Sequence, residues 1–538
     1  MKNINTCVYL ILIGALFLSS SDKIRIDKHQ EQYMGQSPSA DLLISRGWVS
    51  YKDFGAKGDG QTDDILSISK THNFANEHNL KVKADKECKY YIGKSNTTVD
   101  IQTDTDFGNA SFIIDDRDVE NLRANVFSVT SKLSPIKITN VQSLKKNQNE
   151  IGEFFKETTG LVIAVNSNVK RYIRYGSNQN SGSSQTDVFL ISENGEIDSN
   201  APILWNFDEV TDMTFYPIDE DTLTISGGRF TTIANKDSSN YRYYSRGFSI
   251  SRSNVIVDRL THYVEGEGET GSPYSGFINI SNCANVLVKN STLTGRKTYQ
   301  TIGSAGRTVS MGSYDISVGR AVNIAFENCK QTNDIHDRTY WGIMGSNYSK
   351  NISLDSCIFS RFDAHQGVAN ATIRNSTLGH QGINAIGSGT LLVENTTISS
   401  RNIVNLRSDY GSTWEGEFII RNCTFNPVGI SNGRVNLIGG ENMGNHDFGY
   451  ECFMPQKIIF DNVLINESEH SDKYQGATIF ANFNRDMTDQ SYVEDYPYSL
   501  TKEIVLKDVK TTTGRPIRIS DNQYMFKDVL IVADHFKE

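Results

Sequence analysis

Tyr51-Lys52-Asp53-Phe54-Gly55-Ala56-Lys57-Gly58-Asp59-Gly60-Gln61-Thr62-Asp63-Asp64 decides how the rest of the chain is read. Three glycines in six residues supply backbone angles that side chains with a Cβ avoid, so a tight, irregular turn is predicted here. Thr62 or Asp63 can N-cap the segment from Asp64 to His78, where Ile65, Ile68, His72, Phe74 and Ala75 form a helical stripe.

The second half of the chain repeats. Leu287-Val288-Lys289-Asn290-Ser291-Thr292-Leu293, Thr372-Ile373-Arg374-Asn375-Ser376-Thr377-Leu378, Leu392-Val393-Glu394-Asn395-Thr396-Thr397-Ile398 and Ile419-Ile420-Arg421-Asn422-Cys423-Thr424-Phe425 share one plan. An apolar and charged alternation suits a strand, Asn suits the bend that ends it, and a small residue follows. Related segments place Asn328, Ser356 and Asn462 at the same point. Such repetition marks a solenoid whose turns bury their faces against one another. The Asn residues are expected to stack as an internal ladder broken at Ser356. Cys329, Cys357 and Cys423 share the next column with Ser291, Ser376 and Thr396, so they are read as small packing residues and not as disulfide or metal partners.

The turn and helix at 51–78 resemble the N-terminal signature of the pectate-lyase-like superfamily. That resemblance implies an all-β, right-handed parallel β-helix with a short N-terminal capping helix, over residues 46–538. It implies nothing specific about the reaction.

Ladder spacing locates the business side. The steps from 356 to 375 and from 375 to 395 are short, while those from 290 to 328 and from 422 to 462 carry extra residues. Insertions in a solenoid become surface loops, so short rungs are expected to floor a groove and long ones to wall it. The domain reading is a signal peptide at 1–22, a flexible leader at 23–45, and a cap with first rungs at 46–125. A non-repeating insert at 126–215 follows, then the main coil with the groove at 216–470, and C-terminal rungs with a cap at 471–538. Arg171-Tyr172-Ile173-Arg174-Tyr175-Gly176 and the polar run after it suggest paired strands with a loop inside the insert.

The apolar core from Val8 to Phe17 is too short to span a bilayer, and no later segment reaches that length. The protein is therefore expected to be exported, to the periplasm or beyond, with no membrane span. With 53 basic and 63 acidic residues the net charge is -10, which argues against a nucleic-acid partner. A monomer is expected.

Local charge runs the other way. Equivalent places in consecutive rungs hold Arg296-Lys297, then His336, Arg338 and Tyr340, then Arg361 and His365, then His380, then Arg407. Stacking would gather them into a basic strip suited to an acidic polysaccharide. β-Elimination at a uronic acid needs a cation on the carboxylate, a base for the C5 proton and an acid for the departing oxygen. His365 is read as the base, Tyr340 or His336 as the acid, and Arg338 or Arg407 as the carboxylate partner. Arg296, Lys297, Arg361 and His380 would hold neighbouring sugars, with Trp414 stacked on a ring. Arg407 has a plainer role available as an ion-pair partner of Asp409 or Glu415.

The expected activity is a lyase on a uronic-acid polymer, first a glycosaminoglycan such as chondroitin sulfate. Two other readings remain open. A glycoside hydrolase would use paired aspartates drawn from Asp315, Asp334, Asp337, Asp363 and Asp409. A noncatalytic glycan-binding β-helix, like an adhesin or tail spike, would need no such His/Arg/Tyr concentration. Glu265-Gly266-Glu267-Gly268-Glu269 could bind Ca²⁺, although a surface loop is the plainer reading. No cofactor is otherwise implied.

Overall fold

The computed structural model describes residues 38–152, 158–429, 434–467, 470 and 473–533. The signal-peptide reading at 1–22 and most of the leader lie outside these residues. Residues 40–45, also assigned to the flexible leader, belong to a short helix, Ala40–Arg46, N-capped by Ser39 and closed by Gly47.

The diagnostic turn folds as its glycines require. Gly55, Gly58 and Gly60 all have positive φ. At Gly58 the reason is also steric, since a Cβ would lie 2.8 Å from that of Cys88. The helix runs from Ile65 to His78 and buries Ile65, Ile68, Thr71, His72 and Ala75. Its N-terminus differs from expectation. Asp64 occupies the cap position but turns its carboxylate onto the backbone N–H groups of Lys57 and Gly58, at 2.7 and 3.0 Å. Asp63 accepts from the Ile65 N–H at 3.1 Å. The helix lies over Lys81–Lys83 and Val99–Ile101 and covers the first turn of the coil.

From there one large sheet winds through the chain by parallel pairing. Leu223–Ile233 pairs with Val255–Asp258 and Thr261–Glu265, and the stacking continues to Glu503–Thr511 and Leu530–Ala533. Each strand buries alternate side chains, as in Val286, Val288, Ile324, Phe326, Ile352, Leu354, Ile373, Val393 and Ile420. These meet inside a single apolar column that runs the length of the molecule. The chain is a right-handed parallel β-helix with a short N-terminal helix.

Six cysteines, from Cys88 to Cys452, are buried free thiols, and Cys7 lies outside the described residues. The Asn ladder forms, but on the outer surface. Asn328 donates to Asn290 at 2.8 Å, Asn395 to Asn375 at 3.2 Å and Asn462 to Asn422 at 2.9 Å. These asparagines are exposed, and each occupies a left-handed bend, with φ between 48° and 54° in Asn375, Asn395, Asn422 and Asn462. At Ser356 the ladder is carried by Asp355, which accepts from Asn375 at 2.9 Å. A second ladder, Asn254–Asn285–Asn323–Asn351–Asn370, precedes the same strands and was not anticipated.

Residues 136–152 and 158–217 leave the coil. Ile136–Lys137, Gly160–Arg171, Ser183–Ile191 and Asp212–Pro217 form an antiparallel sheet with its own core around Val162, Phe189, Phe207 and Phe215. Phe127–Val129, assigned to the insert from sequence, is instead a strand of the coil. Lys350 of the coil forms a buried ion pair with Asp187 of the insert at 2.8 Å, which fixes one against the other.

Candidate active-site groove

The long strand Ile358–Arg374 sets out the site. Phe362 and Ala364 point into the apolar column, so Arg361, Asp363 and His365 share the opposite, outer face. The next turns bring Asn384 beside Asp363 and Asn405 beside Asn384. Arg407 follows directly, at the end of Val404–Leu406.

Arg407 donates to Asp409 through Nε at 3.1 Å and Nη2 at 2.8 Å, and through Nη1 to Asp363 at 3.4 Å. Asp363 also accepts from Arg361 Nη2 at 2.5 Å. Arg174, on the loop of the insert, reaches Asp409 through Nε at 2.8 Å. The loop is held there because Tyr175 N–H donates to the Asp409 carbonyl at 3.0 Å and Ile173 N–H to that of Phe448 at 3.0 Å. Burial pushes the Asp363 and Asp409 carboxyls up, but the facing arginines outweigh it: Asp363 stays below its ordinary value and Asp409 falls to about 2. Burial likewise opposes the charge on Arg407, yet Asp363 and Asp409 hold it firmly protonated. Three guanidiniums thus face two carboxylates, leaving one positive charge over.

Above this cluster lies a cavity of about 260 Å³. Arg174 and Arg407 supply its charge; His365, Tyr241, Tyr243, Tyr314 and Trp341 supply its rings. Among the described residues no carboxylate lines it. His365 Nδ1 lies 2.9 Å from Asn347 Oδ1. An amide oxygen can only accept, so Nδ1 carries the hydrogen and Nε2 keeps its lone pair. Burial, then the neighbouring Arg407, lowers the His365 pKa to about 3. Burial raises that of Tyr314, so its hydroxyl stays protonated.

The cavity shares Arg174, Asn178, Ser310 and Trp341 with a second of about 430 Å³ that also holds Asp409 and Glu441. Through Ser408 and Glu441 the second joins a polar groove of about 980 Å³ carrying Arg338, His380, Arg401, Arg434 and Arg485. The three form one continuous depression along the coil.

The expected strip is therefore divided. His365 and Arg407 meet in the cavity, while Arg338 and His380 stand in the groove beside it. His336 is exposed on the intervening loop and lines neither; its backbone N–H is tied to Asp334 at 2.9 Å. Tyr340 pairs across a short antiparallel ladder with Lys297 and also misses the cavity. Lys297 is drawn to the acidic loop, donating through Nζ to the Gly268 carbonyl at 2.7 Å, with Glu267 accepting from its backbone N–H. That loop is thus occupied by Lys297, and among the described residues no three His, Cys, Asp or Glu side chains converge as a metal site would require.

Three residues read as sugar contacts are buried. Trp414 is 0% exposed in the apolar column with its Nε1 on the Gly389 carbonyl, so it offers no face to a sugar. Arg296 is 1% exposed and bonded to Asp315, which also binds His262 at 2.8 Å. Arg361 is 2% exposed beneath Trp341 and lines none of the three compartments. For Arg296 and Arg361 a ring from elsewhere in the chain, Tyr274 or Trp341, covers the outer face, whereas Trp414 points inward. Arg174, Tyr241, Tyr243 and Tyr314 were missed. The Arg171–Gly176 motif was visible as a hairpin loop, with no signal to say where it docks.

No known family profile matches the chain. Over 125 residues it is 27% identical to a capsule KL64-specific depolymerase of Klebsiella phage P510, covering 21% of this chain and only 12% of that protein. The Gp54 tailspike of Acinetobacter baumannii bacteriophage AP22, solved with A. baumannii capsular saccharide, superposes with a TM-score of 0.52 at 11% identity. That match covers 91% of this chain and 76% of the tailspike. What they share is the β-helix. The tailspike protein gp49 from Pseudomonas phage LKA1 gives a TM-score of 0.49 at 10% identity, over 90% of this chain and 84% of that one.

Proposed function

We propose that the protein is an exported polysaccharide lyase that cleaves a uronic-acid polysaccharide by β-elimination, with glycosaminoglycans such as chondroitin sulfate as the first substrates to try. One observation carries this reading: a cavity of arginines, tyrosines and a neutral histidine, without a carboxylate among its described lining, above a charge cluster one positive unit in excess. An anionic sugar would balance that charge. Similarity to a capsule-specific depolymerase agrees with a polysaccharide as the substrate class.

Each requirement of elimination has a matching group. The positive field of Arg174 and Arg407 stabilises the charge that develops on the carboxylate as C5 loses its proton. His365 Nε2, with its lone pair free, takes that proton. Electrons from the C5–H bond form the C4–C5 double bond, the C4–O bond breaks, and Tyr314 gives its proton to the departing oxygen. The groove with Arg338, His380 and Arg401 would hold further acidic sugars of the same chain.

Hydrolysis is the second reading, because Asp409 and Glu441 both line the adjoining compartment. Against it, Asp409 is committed to two guanidiniums. The deciding experiment incubates the protein with chondroitin sulfates, hyaluronan, heparin, alginate, polygalacturonate and acidic capsular polysaccharides, with calcium and with chelator. Ultraviolet absorbance from an unsaturated uronate means elimination. New reducing ends without absorbance mean hydrolysis. Saturable binding with neither means a glycan-binding β-helix, and the lyase reading falls.

A further inference from the structure

The spare positive charge of the cluster has an address. Arg174 and Arg407 both spend donors on Asp409, and Arg407 also reaches Asp363. Arg361 makes one bond, from Nη2 to Asp363, while its Nε and Nη1 meet no acceptor among the described residues. A buried guanidinium with two idle nitrogens is costly, because those donors give up water for nothing. What they meet instead is the ring of Trp341, whose centroid lies 4.9 Å from the Arg361 guanidinium carbon. Trp341 lines both the 260 Å³ cavity and its neighbour, and Arg361 lies behind it.

The strand carrying Trp341 is short. Tyr340–Gly342 is three residues long and, among the described residues, pairs as a strand only with Arg296–Lys297, through an irregular register. Gly342 has φ near 126°, and a Cβ there would sit 3.0 Å from that of Arg361. Glycine lets the chain turn directly over the arginine and leaves a residue that can absorb a backbone rotation beside the indole.

We propose that Arg361 is the group that takes the substrate's carboxylate, and that Trp341 is a side-chain lid which swings off the guanidinium when a uronate enters. The ring face is a weak substitute for an oxyanion. Exchange of ring for carboxylate satisfies the idle donors and neutralises the excess charge in one step. The indole, displaced into the wall between the two compartments, then flanks the bound sugar. This inference rests on the anionic-substrate part of the proposed function, not on the reaction that follows.

The test uses the full-length protein with D-glucuronate and D-galacturonate as probes, D-glucose as the neutral control, and sodium chloride at matched ionic strength. Tryptophan emission is the readout, and Trp341→Phe identifies the reporter. A saturable, uronate-specific change is expected in the wild type, and its loss in Trp341→Phe and in Arg361→Gln. Arg361→Lys keeps the charge without the planar donor set and is expected to weaken uronate binding by roughly tenfold or more. This variant keeps the test valid where Arg361→Gln fails to fold, which a thermal melt reports. No Trp341-dependent response, or a response of unchanged affinity in Arg361→Lys, overturns the proposal. Cleavage assays separate the two conclusions. A Trp341 response without cleavage of any polymer leaves the lid standing and the lyase reading fallen. Cleavage that Arg361→Lys leaves unchanged does the reverse.

Discussion

Arg407 grips Asp409, two residues further along the chain, with two hydrogen bonds of 3.1 and 2.8 Å. The pair sits where the coil meets the insert, since Arg174 binds the same carboxylate from the other side. Asp409→Asn removes the charge that holds both arginines. Its carboxyl falls from 3.8 to about 2 on folding. A depressed carboxyl contributes stability that is present above its unfolded pKa and lost as pH falls through the folded one. The wild type should therefore lose on the order of 2 kcal/mol between about pH 4 and pH 2 from this residue, a loss absent in Asp409→Asn. Thermal melts of both proteins across that range check it.

His365 gives a second pH signature. Its folded pKa of about 3 lies below the ordinary 6.5, so the neutral ring is favoured by the fold. In the free enzyme it stays neutral, and kcat/KM should show no acidic limb near pH 6.5 from this group. Stability from the neutral ring is complete above about pH 6.5 and is lost as pH falls toward 3. His365→Gln should flatten that part of the stability curve and lower kcat by roughly 10²- to 10⁴-fold. A variant that keeps more than a tenth of wild-type kcat would remove His365 from the base role.

The repeat offers a test independent of function. Asn375 occupies a left-handed bend with φ near 53° and links Asp355 to Asn395 through its amide. Asn375→Ala loses both bonds and must hold a conformation that a Cβ disfavours. It should cost about 1–3 kcal/mol. Asn375→Gly loses the bonds but not the backbone fit, and should cost less. Equal losses in denaturant titrations would mean that the side-chain ladder, not the bend, carries the stability.

These bends show what a sequence can disclose. A bend that needs positive φ, followed by a small buried residue, recurs because every turn of the coil imposes the same backbone and the same column. Asn290, Cys329 and Ser376 are therefore legible one by one. The stacking of rungs was legible too, since it put Arg361 and His365 on one outer face, although Trp414, read at the surface, points into the apolar column. What covers that face was not. Arg296 and Arg361 read as exposed because nothing local to them records Tyr274 or Trp341, which arrive from elsewhere in the chain and lie 3.9 and 4.9 Å away. Arg174 was hidden for the same reason: its partner is 235 residues distant.

The groove should be felt in binding and not in chemistry. Seven stacked strands floor it, from Ile316–Gly319 through Met344–Asp355, Ile358–Arg374, Thr377–Ala385, Val404–Leu406 and Val435–Gly439 to Ala477–Phe480. Six steps between neighbouring strands give a floor of roughly 30 Å, long enough for several sugars of one chain. Arg338 and Arg401 stand along it away from His365, and both are exposed. Contacts made equally in ground and transition states raise KM when lost and leave kcat alone. Arg338→Ala with Arg401→Ala should raise KM for a long polymer by roughly tenfold, lower the salt sensitivity of binding, and leave kcat within about twofold. For a substrate too short to leave the cavity, the same double variant should match the wild type. Steady-state kinetics on a polymer and on a short oligosaccharide from it, at two salt concentrations, make the comparison. A kcat loss on the short substrate would place these arginines at the reaction centre and require the cleavage site to be moved along the groove.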